Sequence, residues 1–309
     1  MDNLVAGGAG FLGSHIVSRL LQAGEKVICL DNFSTGHMNN LKDWFNHQNL
    51  KIIDHDIIHP INLKANKIWH FACPASPKIY QKDPINTAKI NFIGTLNLLE
   101  IARNSKAKFF LASSSEIYGD SQETSQKESN NGNLKTNSIR SCYQEGKRIA
   151  ETLCFDFSRA YSLEINVARI FNTYGPNMSK DDGRVISNFI NQGLNKEEIS
   201  IYGSGEQLRS FCYVDDLIDG LIKFMKFSTK DPINFGNPYE ALTIKDLAKM
   251  IQLKTYSSLP FSHSALPYDD PLMRKPDITK AKSLLQWEPS IDLDKGLNKT
   301  INFFKTINA

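Results

Sequence analysis

The residues Leu4-Val5-Ala6 run into Gly7-Gly8-Ala9-Gly10-Phe11-Leu12-Gly13, and an acid, Asp31, follows eighteen residues after the last of three glycines spaced three apart. This order of apolar strand, glycine turn and helix start constrains the chain more than any other feature. Gly7 lets the backbone turn sharply out of a strand, Gly10 lets it approach a pyrophosphate, and Gly13 lets the next helix lie close to the sheet. The N-terminus of that helix then faces the phosphates with its unpaired N–H groups and partial positive charge. The amphipathic stretch Ser14 to Gly24 and the strand-like Lys26 to Leu30 complete the unit. A dinucleotide site is expected at Gly7, Gly10, Phe11, Leu12 and Gly13.

Asp31, at the end of the second strand, can accept hydrogen bonds from both ribose hydroxyls and would repel a 2′-phosphate. Asn32 and Phe33 beside it bring no arginine to neutralise such a phosphate. The expected cofactor is NAD rather than NADP, with Asp31 and Asn32 at the ribose.

In a chain of 309 residues, 41% apolar and 22% charged residues fit an ordinary globular enzyme of one large or two modest domains. The 36 basic and 33 acidic residues are scattered, which leaves no basic block for a nucleic acid to grip. Five cysteines, odd in number and widely spaced, fit reduced thiols better than a disulfide framework or a zinc site. No apolar stretch of signal-peptide or membrane-span length precedes the glycine turn, so a cytoplasmic protein without a membrane partner is expected. His55 and His59 are four apart beside Asp56, but Pro60 and the preceding strand argue against a metal-binding helix, and no metal is assigned.

Strand-like runs at Asn3 to Val5, Lys26 to Leu30, Lys51 to Ile53, Lys67 to Phe71, Lys108 to Ala112 and Glu164 to Ile170 alternate with helical stretches. That alternation predicts an α/β fold: a Rossmann-type, doubly wound parallel sheet covered on both faces. The clearest helices are Asn86 to Asn104 and Cys142 to Ala160. Beyond Tyr174-Gly175-Pro176 the pattern breaks into short segments. The expected division is an NAD-binding domain over 1–173 and a smaller C-terminal substrate-binding domain over 174–309, with returns to the sheet near 210–237. Ser121 to Ser138 is polar enough for a surface loop.

Tyr143 and Lys147 stand four apart, on one helical face. A nearby cation can lower a phenol's pKa of ~10 by about 1–3 units, making it a usable base. Just upstream a strand ends in Ser113-Ser114-Ser115-Glu116, where the Ser114 hydroxyl can share a substrate hydroxyl with Tyr143.

The glycine turn, Asp31-Asn32-Phe33, Pro74-Ala75-Ser76-Pro77, Ser115-Glu116-Ile117-Tyr118-Gly119, the Tyr143/Lys147 pair, Ala168 to Pro176, Asp182-Gly183-Arg184-Val185 and Arg274-Lys275-Pro276-Asp277 together resemble the extended short-chain dehydrogenase/reductase family. Within it they are most similar to the UDP-glucuronate decarboxylases, over nearly the whole chain to Trp287-Glu288-Pro289. Two positions depart from the common pattern: Ala6 where many relatives carry Thr, and Cys73 where a serine precedes Pro74.

The resemblance implies a reaction on UDP-glucuronate. Tyr143, supported by Lys147 and Ser114, would take the proton of the sugar 4-hydroxyl while NAD accepts the C4 hydride. The 4-keto sugar is a β-keto acid, so loss of carbon dioxide leaves an enolate that the ketone oxygen can hold. Protonation at C5 and return of the hydride would give UDP-xylose. Glu116 is expected near C5, positioning water or assisting protonation. Ser115 stands where the related 4,6-dehydratases carry an acidic aspartate, which argues against elimination of water. Arg274 would hold the glucuronate carboxylate or a phosphate oxygen, and Asp56-Ile57 would reach the adenine. Arg209 and Asn172 are candidates for the diphosphate and uridine side with Arg184, Val185 and Tyr202 nearby, and Tyr80 for the sugar. The same family implies a homodimer built from Asn86 to Asn104 and Cys142 to Ala160. The alternatives are a UDP-sugar 4-epimerase or another nucleotide-sugar dehydratase and, from a different class, a non-catalytic NAD-sensing protein, against which the complete Ser114, Tyr143 and Lys147 set argues.

Overall fold

The computed structural model describes residues 2–120, 123–266 and 273–308. Seven strands, β1 Asp2–Ala6, β2 Lys26–Asp31, β3 Leu50–Asp54, β4 Lys67–His70, β5 Lys108–Ser114, β6 Ile165–Ile170 and β7 Ile233–Phe235, form one parallel sheet in the order β7-β6-β5-β4-β1-β2-β3. Strand order reverses between β1 and β4, and right-handed crossovers from that point leave a crevice beyond the carboxyl ends of the strands.

The sheet is buried on both faces, so its strands read as continuous apolar runs. Alternate side chains still go to opposite faces. Leu4, Ala6, Leu30, Ile68, Phe109 and Leu111 share one core with helices α2 Thr95–Ser105 and α3 Ser141–Tyr161, which contribute Leu98, Leu99, Ala102, Ala150, Cys154 and Phe157. Val5, Val27, Cys29, Trp69, Phe110 and Ala112 face the other core. Helix α1, Phe11–Gln22, covers that side through Ile16, Val17, Leu20 and Leu21. So does a later helix, Val214–Lys226, through Leu217, Leu221 and Phe224. Phe109 and Phe110 are fully buried, one on each face, and each contributes about 1.5–3 kcal/mol of transfer free energy.

The expected strands appear with small shifts at their ends, and the expected return to the sheet is β7 beside β6. Two local differences bear on the site. The first helix starts at Phe11 rather than Ser14, because Gly10 caps it in an extended conformation directly after the turn. The expected helix from Asn86 to Asn104 is broken into Pro84–Lys89, a five-residue π turn at Ile90–Gly94, and α2. Gly94 has no Cβ to collide with Ile57, whose Cδ1 would lie 2.5 Å away.

The later residues add three short sheets, the last with Leu208–Ser210 between Ala241–Thr243 and Met273–Arg274, so that Arg274 lies opposite Arg209. Between these segments runs α4, Val185–Leu194, and one apolar core extends continuously from Val5 to Phe304. Of the stretch expected as a surface loop, Ser121 and Gln122 lie outside the described residues, whereas Gln126 is buried.

The glycine turn predicts two different outcomes for similar substitutions. A Cβ on Gly13 would stand 2.0 Å from the Gly7 carbonyl oxygen, whereas one on Gly10 would meet only that oxygen, at 3.2 Å. Gly13→Ala should lose about 1–3 kcal/mol of stability, the usual range for overpacking. Gly10→Ala should unfold at nearly the wild-type denaturant concentration yet bind NAD more weakly. Denaturant unfolding and NAD titration of both variants check this.

Candidate active site

A cavity of about 1000 Å³ opens at the reversal of strand order, and every residue singled out above for cofactor, substrate or chemistry lines it. At its phosphate end the N-terminus of α1 is capped by Gly10 without a side-chain partner, so its first N–H groups remain available for an anion. Asp31 accepts from the amides of Ala9 and Phe33, both at 2.9 Å. A carboxylate has about four acceptor sites, so capacity remains for a ribose diol. Burial raises the Asp31 pKa, and the two amide hydrogen bonds oppose that shift. Asn32 donates to Asp56 at 2.9 Å, and the other Asp56 oxygen takes the amide of Ile58. Ile57 is buried as an apolar wall. These features fit the phosphates, ribose and adenine of NAD.

The chemical centre lies where β5 and α3 meet. Ser114, the last residue of β5, lies within hydrogen-bonding reach of Tyr143 and accepts the Glu116 amide at 3.2 Å. Lys147 is buried, donates to the Ala112 carbonyl at 2.9 Å and stands 5.8 Å from the Tyr143 ring centre. The Tyr143 ring stacks on Tyr80 at 5.0 Å, with the planes 6° apart. The Tyr80 hydroxyl is buried without a hydrogen-bond partner.

The expected depression of the Tyr143 pKa is not found. Burial pushes the phenol well above its ordinary value, and the nearby Ser114 hydroxyl opposes the shift without cancelling it. The reason is geometric: the Lys147 ammonium is committed to the Ala112 carbonyl, beside the ring rather than at the hydroxyl. Tyr143 is thus a neutral phenol at neutral pH.

Glu116 sits in a cluster that sequence spacing only partly exposes. The Arg140 Nη2 group contacts both Glu116 oxygens at 2.9 Å, the Gln144 amide donates at 3.0 Å, and Arg274 Nη2 stands 3.3 Å away. Burial alone would raise the Glu116 pKa, but the Arg274 and Arg140 guanidiniums and the Gln144 amide outweigh it and hold it at about 2. Glu116 is therefore an anion at neutral pH. Of the two roles expected for it, positioning water suits an anion directly, and assisting protonation would run through that water. Arg274 is 3% exposed and bonds the Ser115 carbonyl, while its Nη2 group makes no hydrogen bond. A buried guanidinium with donors to spare is suited to a carboxylate or phosphate.

The remaining candidates ring the far side. Arg184 forms a two-point pair with Asp182, Nη2 to Oδ2 at 2.7 Å, and lies 5.5 Å from the Phe11 ring centre. It thus joins the glycine turn to the start of α4, where Val185 follows. Arg209 is buried, Tyr202 is half exposed, and Asn172 lies at the end of β6. Arg140, Gln144 and Asn91 were not singled out from sequence. Arg140 precedes Tyr143 by three residues, so helical spacing could have exposed it. Asn91 depended on the π turn, which packs its side chain against Gly146 and within hydrogen-bonding reach of Cys73. Among the described residues no cluster suits a metal, and no helix is long and apolar enough to cross a membrane.

Residues 3–236 match the model of the NAD dependent epimerase/dehydratase family. The chain is 46% identical over 302 residues to UDP-glucuronic acid decarboxylase 1 of Xenopus tropicalis, covering 98% of this chain and 72% of that protein. It is 48% identical to UDP-glucuronic acid decarboxylase 4 of Arabidopsis thaliana, with 98% and 68% covered. Among solved structures, UDP-glucose 4-epimerase of Thermotoga maritima superposes over the whole of both chains, with a TM-score of 0.91 and 30% identity. UDP-glucuronic acid 4-epimerase of Bacillus cereus, solved with UDP-glucuronic acid and NAD, superposes with a TM-score of 0.88 at 27% identity over 99% of this chain and all of that one.

The Glu116 cluster generates a stability prediction. Its carboxyl is held below the ordinary glutamate value of 4.5, at about 2, so the stabilisation is present above pH 4.5 and is lost as pH falls toward 2. Wild-type protein should lose stability between pH 4.5 and 3 more steeply than Glu116→Gln, which has no such carboxyl to titrate. Urea unfolding midpoints of both proteins across that window give the comparison, and parallel curves would contradict it.

Proposed function

The chain belongs to the NAD dependent epimerase/dehydratase family, and we propose that its reaction is the decarboxylation of UDP-glucuronate to UDP-xylose through a 4-keto intermediate. One observation carries this reading: the Ser114, Tyr143 and Lys147 set shares a cavity with the buried, incompletely bonded guanidinium of Arg274. The first set suits oxidation at a sugar hydroxyl, and the second suits the carboxylate that distinguishes a glucuronate from a neutral sugar. Identities of 46–48% to decarboxylases over nearly the full chain support the same assignment.

The residues act in the following order. Gly7, Gly10, Gly13, Asp31 and Asp56 hold NAD, which when bound brings a positively charged ring that accepts a hydride and later returns it. Positive charge supplied by the cofactor would favour Tyr143 as the phenolate, against the effect of burial. Tyr143 then takes the 4-hydroxyl proton, with Ser114 holding the same oxygen. Arg274 fixes the carboxylate, and carbon dioxide leaves from the β-keto acid while Ser114 and protonated Tyr143 donate to the enolate oxygen. Anionic Glu116 accepts a hydrogen bond from the water that protonates C5, and the hydroxide left behind takes a proton from solvent, the one proton the net reaction consumes. Tyr143 finally returns its proton to the 4-oxygen.

Assembly and location extend the proposal. Phe92 and Ile149 are exposed along a groove between Pro84–Gly94 and α3, and Ile85 is exposed on the helix Pro84–Lys89. Covering these apolar side chains with the same surface of a second copy supports a homodimer with a four-helix contact. Phe92→Glu should shift the light-scattering mass of a micromolar solution from dimer to monomer. Five free thiols suit a reducing cytoplasm.

Incubation with UDP-glucuronate and NAD should release carbon dioxide and give UDP-xylose with little standing NADH. A product of unchanged mass would instead indicate a 4-epimerase. Tyr143→Phe should slow the first hydride transfer by about 10²–10⁴-fold, the usual worth of a positioned base, while leaving NAD affinity nearly intact. Arg274→Ala should weaken UDP-glucuronate binding by about 1.5–3 kcal/mol, the range for a hydrogen bond to a charged group, and UDP-xylose much less. Equal weakening of both ligands would move the Arg274 contact to the diphosphate.

A further inference from the structure

Gln126 lies in a stretch whose polar composition suggests a solvated loop, yet it is 1% exposed. Its bonds converge on the segment that follows Arg274. The Gln126 amide donates to the Lys275 carbonyl, the Lys275 amide donates to Gln126 Oε1, and the Asp277 amide donates to the Gln126 carbonyl, each at 2.9 Å. Asn234, at the centre of β7 and fully buried, closes the set: its Nδ2 donates to the Gln126 carbonyl at 2.9 Å and to the Asp277 carbonyl at 3.1 Å.

The set is anchored to the catalytic helix. Asn234 Oδ1 accepts from the Tyr118 hydroxyl at 2.7 Å, Arg169 donates to the same hydroxyl at 3.1 Å, and Arg169 pairs with Glu151 at 2.9 Å. Glu151 is on α3, one turn beyond Lys147. A chain of buried hydrogen bonds therefore runs from the helix of Tyr143 and Lys147 to the backbone beside Arg274. Resting on the functional reading above, we propose that Gln126 is a positioning residue: through the Lys275 peptide it sets where the Arg274 guanidinium meets the substrate carboxylate.

A purely structural glutamine would affect all ligands alike. A positioning role singles out the ligand that carries a carboxylate. The readout is the KM for UDP-glucuronate against the inhibition constant of UDP-xylose, which lacks that group, measured on the NAD-loaded enzyme. Gln126→Leu keeps the volume but removes the acceptor for the Lys275 amide. It should raise the KM on the order of tenfold, as expected for one buried hydrogen bond, and leave the UDP-xylose constant within about twofold. Gln126→Glu retains an acceptor and should recover most of the loss. Gln126→Asn withdraws the acceptor by one methylene and should repeat the selective rise, which keeps the test open if the leucine variant does not fold. Equal changes for both ligands, or a glutamate variant as poor as leucine, would overturn the proposal. Arg274→Ala serves as the reference: if it too fails to distinguish the two ligands, the carboxylate assignment of Arg274 falls, whereas selectivity in Arg274→Ala alone removes only the role of Gln126.

Discussion

The approach of α1 to the end of β1 governs much of this molecule, because Gly13 lies so close to the Gly7 carbonyl that no side chain fits between them. With the helix drawn in, its N-terminus opens on the crevice and the Ala9 amide reaches Asp31 at 2.9 Å. The carboxylate at the end of β2 and the turn after β1 thus brace each other. A cofactor site results whose donors and acceptors are set before any ligand arrives, which reduces the ordering cost of binding.

Buried charge is the second constraint. Glu116, Arg140 and Arg274 would each be costly to hold alone away from water, and their mutual pairing, with Gln144, offsets that cost. The compensation is uneven, and this matters for chemistry. Glu116 is fully engaged and stays ionised, whereas Arg274 retains donors that an incoming anion can use. A second buried pair, Arg169 with Glu151, lies behind the first and is bonded through Tyr118 and Asn234 to the strand segment after Arg274. The acidic and basic groups of the cavity are consequently connected to the core by directional bonds rather than by packing alone.

Tyr143 illustrates how far residue type differs from residue state. Its spacing from Lys147 makes the pair recognisable, yet in the folded cavity burial dominates and pushes the phenol's pKa up. The ammonium that was expected to act on the hydroxyl is spent on the Ala112 carbonyl.

Local sequence determined the parts whose physics is local. The strand and helix periods placed the parallel sheet, the glycine spacing placed the turn between β1 and α1, Asp31 closed the second strand at the rim of the cavity, and the four-residue spacing put Tyr143 and Lys147 on one helical face. The motif set also carried the family and its substrate class. Tertiary structure alone decided which distant groups meet. No spacing rule links Gln126 to Lys275, Arg274 to Glu116 and Arg209, or Asn234 to Tyr118, because these contacts arise where strands and loops far apart in the chain are brought to one edge of the sheet. The π turn that presents Asn91 and the protonation states of Tyr143 and Glu116 were equally out of reach, since burial and the sum of surrounding charges exist only once the chain has folded.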